Sequence, residues 1–462
     1  MPKKEDKRNY EMFAYLPDLF LEDVFARLSI RHRYYASMVC SNWSRIFHSP
    51  RIWRTFQMQD RLLTRRKFNY YLGYEHVLDH YRAQICLRYV GHNFRTIIIR
   101  PMSNFYNLYE FLNMLSSFAE FYDENPLRSV HTFTFSFACH QKISSGIDDN
   151  EQVFGTGGEL LKALQRLIIN LPGVKNLTLN ELLLNESDAN DASNEIARHC
   201  SETLMHLRLV NLTKDLCPFL NVGMFNNLRR LTISPQQLSD DMLIVLSQTS
   251  IRHLHVVQNT FTEIGVSVPG SAWRESRRLS KFHVHLRIEG RLTKEIIWQE
   301  FAPVKSVVYE SPYSKVTADS ILTVVDLYSK DLQIYGHLSL PRFYMARSFH
   351  ERADSNLVLL CRECPMLHTL IIRQLVSTAT VVLIAWTGKR LKSLFVRRNA
   401  MIKRADWPRS PDWSSDFFSW LKQTACSYEL VQKEVSRLLG VNWTPLSDFQ
   451  FKSLQINYSS VT

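Results

Sequence analysis

The chain has 462 residues, of which 45% are apolar and 22% charged, with only 14 glycines and 16 prolines. This composition is typical of a folded globular protein and excludes collagen-like and extensively disordered sequences. The eight cysteines are too sparse for a disulfide scaffold, and the longest apolar run, from Val381 to Trp386, is too short to span a membrane. The N-terminal residues contain no apolar signal core, so the predicted location is cytoplasmic and/or nuclear.

The positive charge is concentrated near the N-terminus. The net charge is +12, and residues 1–100 contain 18 basic against 9 acidic side chains. Such a segment indicates an anionic partner, which can be a nucleic acid, an acidic protein or a lipid surface. The same residues match no helix-turn-helix, zinc-finger or RNA-recognition pattern, so we expect neither nucleic-acid nor membrane binding.

The first sixty residues predict three short helices. The sequence from Leu16 to Asp18 is typical of a helix start, and apolar residues then recur at helical spacing until Ser29. A second helix is predicted from Arg33 to Cys40, and Ser41 or Asn42 is expected to cap a third helix that ends before Pro50. Three such helices bury too little surface to be stable alone, so their apolar side chains need the rest of the chain or another protein.

The order of apolar residues in this segment resembles that of an F-box. The matching stretches are LPDLFLEDVFARL and YYASMVCSNWSRIFHSPRIWRTF, whereas Arg31 to Tyr35 departs from the family, which more often has an acidic residue and a leucine there. In that family the motif binds the adaptor Skp1 and so joins a cullin-RING ubiquitin ligase. The alternative is that these residues merely cap the following domain. The resemblance implies a Skp1-binding site made of Leu16, Pro17, Leu21, Val24, Phe25, Leu28, Val39, Cys40, Trp43 and Trp53.

The remaining four hundred residues contain an irregular repeat in which apolar residues occupy the first, fourth and sixth positions. A weak eleventh copy begins at Leu332, and the central copies start 23 to 30 residues apart. This period is close to that of leucine-rich repeats, and each copy predicts a strand followed by a helix. An unrelated α/β domain is the alternative. The ten clear copies start at Phe94, Val130, Val174, Leu204, Leu228, Ile251, Leu279, Val304, Leu367 and Leu391.

These patterns together predict an α/β fold. A three-helix F-box is expected to precede a curved leucine-rich-repeat solenoid, with parallel strands on its concave face and helices outside. The layout resembles F-box proteins with degenerate leucine-rich repeats, and the run from Phe13 to Phe25, the segment Ser271 to Trp273 and the missing asparagine signature resemble the F-box only proteins 33 and 39. The predicted segments are a basic tail at 1–13, the F-box at 14–60, a helical linker at 61–90, the repeats at 91–398 and a tryptophan-rich C-terminal cap at 399–462.

The C-terminal cap contains four of the nine tryptophans. A cover for the open end of the solenoid is one interpretation, and an aromatic loop that grips a substrate is the other. A last strand is predicted at Phe451 to Ile456, where the apolar pattern returns.

Basic residues cluster between the apolar positions of four central repeats. Because neighbouring strands lie about 4.8 Å apart, these side chains are expected to form one cationic strip, with His255 and His283 in the same register. Our hypothesis is that the strip binds an acidic or phosphorylated segment of a protein substrate; a solvated polar face is the alternative. A zinc site formed by the histidines lacks a completing ligand, so no metal is expected. The residues of this strip are His206, Arg208, Arg230, His253, His255, Lys281, His283 and His285.

The function implied by the resemblance is that of a substrate-recognition subunit in a Skp1–cullin–F-box ubiquitin ligase. We expect no catalytic residues and no cofactor, because no nucleophile has a visible partner and no phosphate loop is present. One alternative is a repeat scaffold that binds Skp1 without a cullin. Another is a nucleic-acid-associated protein that uses Arg61, Arg65, Arg66 and Lys67.

Overall fold

The computed structural model describes residues 16–71, 73–137, 156–263, 267–291, 295–345 and 347–458. The predicted basic tail at 1–13 lies outside the described residues. The chain divides into two compact units, the first made of residues 1–215 and 221–229, and the second of residues 216–220 and 230–462. Within the described ranges, no helix combines the length and the apolarity that crossing a membrane requires.

The first unit begins with three helices, α1 (Asp18–Arg27), α2 (Ile30–Ser37) and α3 (Ser41–Phe47). The prediction of three helices is therefore confirmed. The predicted cap is wrong, because Ser41 is the first helical residue of α3 and Cys40 occupies the capping position without a side-chain hydrogen bond.

Five parallel strands form the sheet of the first unit, in the order β1, β4, β5, β6, β7. The first of these strands lies inside the segment predicted as F-box, directly after the three helices. Between the strands lie the helices α4 (His80–Val90), α5 (Phe105–Phe121), α6 (Glu159–Ile169) and α7 (Glu186–Cys200). The strands are β1 (Thr55–Met58), β4 (Thr96–Ile99), β5 (Thr132–Ser136), β6 (Asn176–Asn180) and β7 (His206–Val210).

The predicted helical linker at 61–90 is helical only in its second half. Strands β2 (Thr64–Asn69) and β3 (Gly73–Leu78) form an antiparallel hairpin before α4 begins. The hairpin carries exposed aromatic side chains and three exposed basic residues in a row, Arg65 to Lys67. β-branched and aromatic residues on a two-stranded ribbon favour extended backbone through cross-strand pairs such as Phe68 with Tyr74, which apolar spacing alone does not reveal.

The second unit contains seven parallel strands in the order β8, β9, β10, β11, β12, β13, β15. A separate two-stranded pair joins β14 (Val376–Ser377) to β16 (Met401–Ile402). The helices of this unit that precede the cap are α8 (Asp240–Ser247), α9 (Gly270–Leu279), α10 (Ala318–Tyr328), α11 (Asp354–Glu363) and α12 (Thr378–Thr387). The seven strands are β8 (Arg230–Ile233), β9 (His253–Gln258), β10 (His283–Glu289), β11 (Val304–Glu310), β12 (Ile334–His337), β13 (Thr369–Ile372) and β15 (Ser393–Val396).

The strand predicted for each copy is confirmed, since each of the eleven copies contains or immediately precedes a parallel strand, whereas the described residues between β7 and β8 and between β10 and β11 contain no α-helix. Nearly all the apolar positions of the pattern are buried, which is the reason that the copies must stack. The exception is Leu279, which ends helix α9 and is 57% exposed. The fold is thus an N-terminal set of three helices followed by repeated parallel strands and helices.

The C-terminal residues form three further helices, α13 (Ser415–Ala425), α14 (Tyr428–Leu439) and α15 (Asp448–Lys452). The predicted last strand is wrong, because residues 448–452 are helical and the residues after them pair with no described strand. Trp443 is buried, and its Nε1 donates a 2.6 Å hydrogen bond to the backbone oxygen of Leu394 in β15. Trp443 therefore covers the last strand of the second unit, which favours the interpretation of this region as a cap.

Candidate partner-binding surfaces

The interior of the three N-terminal helices contains part of the predicted Skp1-binding set. Leu21, Phe25 and Trp53 are each at most 1% exposed, so they hold the helices together and cannot touch a partner directly. Phe25 packs edge-on against Trp43, with ring centroids 5.7 Å apart. The indole Nε1 of Trp53 donates to the backbone oxygen of Phe47. These residues therefore position the exposed side chains of the three helices.

A buried arginine that the sequence did not single out joins the helices. The guanidinium of Arg33 donates to four backbone oxygens, those of Phe25, Ala26, Leu28 and Ile52, at 2.8 to 3.0 Å. Three of these oxygens lie at the end of α1, where helix carbonyls have no partner within the helix. Arg33 lies within the stretch that departs from the F-box pattern, and its planar fork supplies the missing donors.

Replacing Arg33 by alanine is expected to destabilise the first unit by about 2–4 kcal/mol, because four carbonyl oxygens then lose this donor and, among the hydrogen bonds of the described residues, only that of Phe25 keeps another, the Leu28 N–H. Urea denaturation followed by tryptophan fluorescence measures this loss. Arg31→Ala is the matched control, since Arg31 is exposed and its Nε bonds only the Tyr35 hydroxyl among the contacts found. A cost below about 0.5 kcal/mol for Arg33→Ala would contradict the joining role.

Large apolar side chains cover the outside of the same helices. Of the predicted Skp1-binding residues, Pro17, Val24 and Val39 are exposed, whereas Leu16, Leu28, Cys40 and Trp43 are half-buried. Several equally exposed neighbours do not belong to the predicted set. A helix whose apolar residues extend beyond the stripe that faces the core predicts an exposed apolar surface, and α1 is such a helix. The exposed apolar residues between positions 19 and 39 are Leu19, Phe20, Val24, Tyr34, Tyr35, Met38 and Val39.

The predicted cationic strip falls on both units, so its members are considered separately. In the first unit His206 and Arg208 are half-buried, and Arg208 Nε donates to Asn180 Oδ1 at 2.9 Å. In the second unit Lys281 is exposed, and Arg230, His253 and His283 are half-buried.

The register of the histidines differs from the prediction. His253 pairs with His283 and His255 with His285, whereas His255 and His283 had been expected to share a register. The prediction was two residues off because the apolar copy at Leu279 begins in a helix, not in the strand. A shift of two residues keeps the alternation of faces, so the pattern alone cannot detect it.

Two histidines of the strip are buried and do not form an open cationic surface. His255 and His285 are 1% and 0% exposed, and their rings stack with centroids 4.5 Å apart. Burial, with added repulsion from neighbouring histidines and arginines, lowers the pKa of both groups well below the ordinary value. Both rings are therefore neutral at pH 7, which corrects the prediction that they attract anions by their own charge.

The C-terminal residues cover this part of the sheet. We call the face that carries His253, His255, His285 and Val308 the polar face of the second unit; the apolar residues of the repeat occupy the opposite face. Ile456 and Tyr458 pack there against Val308 and Ile334. This cover explains the burial of the two histidines. It could not be read from the repeat pattern, because it depends on residues nearly two hundred positions away.

No group of three or more His, Cys, Asp or Glu side chains in the described residues has the arrangement of a metal site. Cys361 and Cys364 are both buried, and burial raises the pKa of the Cys364 thiol to about 12, which disfavours the thiolate that binds metals.

Comparison with known proteins identifies the N-terminal part. Residues 13–55 match the family model of the F-box domain. No curated protein matches the chain. The crystal structure of the Rad7 and Elc1 complex in yeast is similar with a TM-score of 0.36 and 10% sequence identity, over 88% of this chain and 96% of that chain. The chain thus carries an F-box domain, the helices α1 to α3 with the residues that flank them.

Proposed function

We propose that the chain is the substrate-recognition subunit of a Skp1–cullin–F-box ubiquitin ligase. The F-box domain at residues 13–55 carries this proposal, since that domain is a Skp1-binding module. The exposed apolar side chains of α1 and α2 support it, because such surfaces mark sites of protein association. In this role the repeats bind the substrate, and the chain contributes no catalytic group.

The proposed mechanism is positioning. A receptor that holds its substrate beside the enzyme that carries ubiquitin turns a bimolecular encounter into a local one and raises the effective concentration. Other subunits supply the transfer chemistry, which fits a chain built from packing residues and partner surfaces. The protein substrate is proposed to be acidic or phosphorylated. The narrower resemblance to the F-box only proteins 33 and 39, and the cytoplasmic or nuclear location, stay predictions.

The test compares the intact chain with a Leu16→Ala/Pro17→Ala variant after affinity purification and mass spectrometry. We expect Skp1 and a cullin with the intact chain only, and ubiquitination of co-purified proteins that requires the intact F-box. Skp1 without a cullin would instead indicate the scaffold function. Recovery of neither partner by folded protein would overturn the proposal.

Nucleic-acid binding is a second candidate, and the β2–β3 hairpin is the observation that favours it. Arg65, Arg66 and Lys67 are exposed beside Tyr70 and Tyr71, which are 87% and 90% exposed. Cationic and aromatic side chains together are typical of surfaces on which bases stack. Binding to single-stranded RNA that weakens steeply with salt would support this function, and salt-independent or absent binding would exclude it.

A further inference from the structure

Residues 454–458 cover the polar face of the second unit, with Ile456 and Tyr458 packed against it. Ile456 packs on the apolar floor formed by Val308 and Ile334. The Tyr458 ring meets the rings of His255 and His285 edge-on, with centroids 4.7 Å and 5.0 Å apart. Since the histidines belong to β9 and β10 and the floor to β11 and β12, the segment extends across four strands.

Beside Tyr458 lie buried polar atoms that make no hydrogen bond within the described structure. His255 is 1% exposed, and neither of its ring nitrogens makes a hydrogen bond with any residue that the structure describes. The Nε of Arg230 is also buried and makes no hydrogen bond with any described residue. His285 differs, since its ring bonds Ser306 at 2.8 Å and His253 at 3.0 Å. Buried polar groups are nearly always paired. Tyr458 therefore occupies this site but leaves the nitrogens of His255 and the Nε of Arg230 without hydrogen bonds to the described part of the chain.

The unused hydrogen-bond donors around these atoms suit an acceptor such as a carboxylate. Arg287 forms ion pairs with both Glu289 and Glu310 at 3.0 Å and 2.8 Å, so it is already paired, and these three groups together carry one net negative charge. Arg230 belongs to the neighbouring part of the face, next to His253 in the sheet, and none of the ion pairs found among the described residues includes it. Its guanidinium and the His255 ring can both donate hydrogen bonds to a carboxylate.

We propose that the polar face over β8 to β12 is a binding site for an extended acidic peptide segment of a partner protein, and that residues 454–458 are an internal occupant which this ligand displaces. The ligand places an aliphatic side chain where Ile456 lies. Two residues further on, it places a carboxylate where Tyr458 lies, within reach of Arg230 and His255. Strand-like backbone presents residues i and i+2 on one side, as this spacing requires. The proposal rests on the proposed function only in taking the partner to be a substrate.

The first experiment uses the full chain and changes one residue of the internal occupant. Tyr458→Glu supplies the carboxylate, and Tyr458→Gln is the matched control that removes the same ring without adding charge. We expect the thermal midpoint of the Glu variant to exceed that of the Gln variant by about 2–4 °C at pH 7. Equal midpoints, or a lower midpoint for Tyr458→Glu, would overturn the assignment of an anion site.

The second experiment measures the same site with a separate ligand. The probe is a fluorescent peptide with the sequence of residues 450–458 in which glutamate replaces the tyrosine, and its anisotropy reports binding to the full chain. The Ile456→Ser/Tyr458→Ser variant, whose occupant is weakened, should bind the probe at least about tenfold more tightly than the unaltered chain. Adding Arg230→Ala to that variant should weaken binding about fivefold or more.

Equal affinity of the unaltered and weakened chains for the probe would overturn the displacement model. If the weakened variant fails to fold, the comparison of Tyr458→Glu with Tyr458→Gln still decides the question. Skp1 binding is measured on the same preparations. Failure at the polar face with Skp1 binding retained overturns only the peptide site, whereas loss of Skp1 binding by the unaltered chain overturns the proposed function.

Discussion

Replacing Phe20 and Val39 by aspartate is expected to weaken Skp1 binding by at least about 100-fold while leaving the fold intact. Both side chains are 66% exposed, so each introduced carboxylate is hydrated in the free chain but lies against an apolar partner surface in the complex. Burying two unpaired carboxylates at an interface costs several kcal/mol, and each 1.4 kcal/mol is a factor of ten in affinity. Surface plasmon resonance with immobilised Skp1 measures the loss.

The matched control for this experiment is Phe121→Asp. Phe121 is 83% exposed at the end of α5 in the same unit, outside the F-box helices. Its replacement should leave Skp1 affinity within about twofold. A similar loss from the control and the double variant would mean that Skp1 does not recognise the surface of α1 and α2 specifically. Phe25→Ala provides the opposite case, because its side chain is fully buried and its loss should unfold the helices themselves.

Acid is expected to destabilise the second unit before its carboxylates titrate. Burial holds the pKa values of His255, His285 and His337 well below the ordinary value of 6.5. In the unfolded chain these groups bind protons as the pH falls below about 6.5, whereas in the native structure they stay neutral. Stability is therefore full above pH 6.5 and falls below it. Each histidine costs about 1.4 kcal/mol between pH 7.5 and pH 5.5, and the three together about 4 kcal/mol.

Urea denaturation at pH 7.5 and pH 5.5 measures this loss, and two variants identify its source. His255→Phe should reduce the loss by about one third, because it removes one of the three buried titrating groups. It should also stabilise the protein at both pH values, since the ring nitrogens of His255 make no hydrogen bond in the described structure. His131→Gln is the control, because His131 is exposed. A loss that is unchanged by His255→Phe would contradict the buried-histidine mechanism.

The repeat fold could be predicted from the sequence because every copy repeats one local requirement. Apolar residues two and three positions apart predict a buried strand, and their period predicts stacking, without any knowledge of distant contacts. The F-box helices were predictable because their apolar residues also follow a local pattern, the spacing of a helix. The hairpin at 64–78 was not, because its aromatic and basic side chains lie in solvent and give no burial pattern.

The candidate site was predictable only as a set of residues on one face. Alternation along a strand places His253 and His255 on the same side, but it does not give the register between strands, and the prediction was off by two residues. Nor does it show that Tyr458 covers His255, because that contact depends on how the whole C-terminal region folds back. Local patterns therefore predict neither the register between strands nor the burial of a strand residue by a segment distant in sequence.

The direct passage from the F-box helices into β1 has a mechanical consequence. Only residues 48–54 separate α3 from the strand, and Ile52, Trp53 and Phe56 within and beside this stretch are buried. Phe56 stacks on Phe94 and Phe111, whose ring centroids lie 4.8 Å and 5.7 Å away. This packing leaves no flexible linker between the three helices and the strand. The distance from these helices to any strand of the first unit's sheet is therefore set by the number of strands between them, at about 4.8 Å for each, and not by the length of a tether.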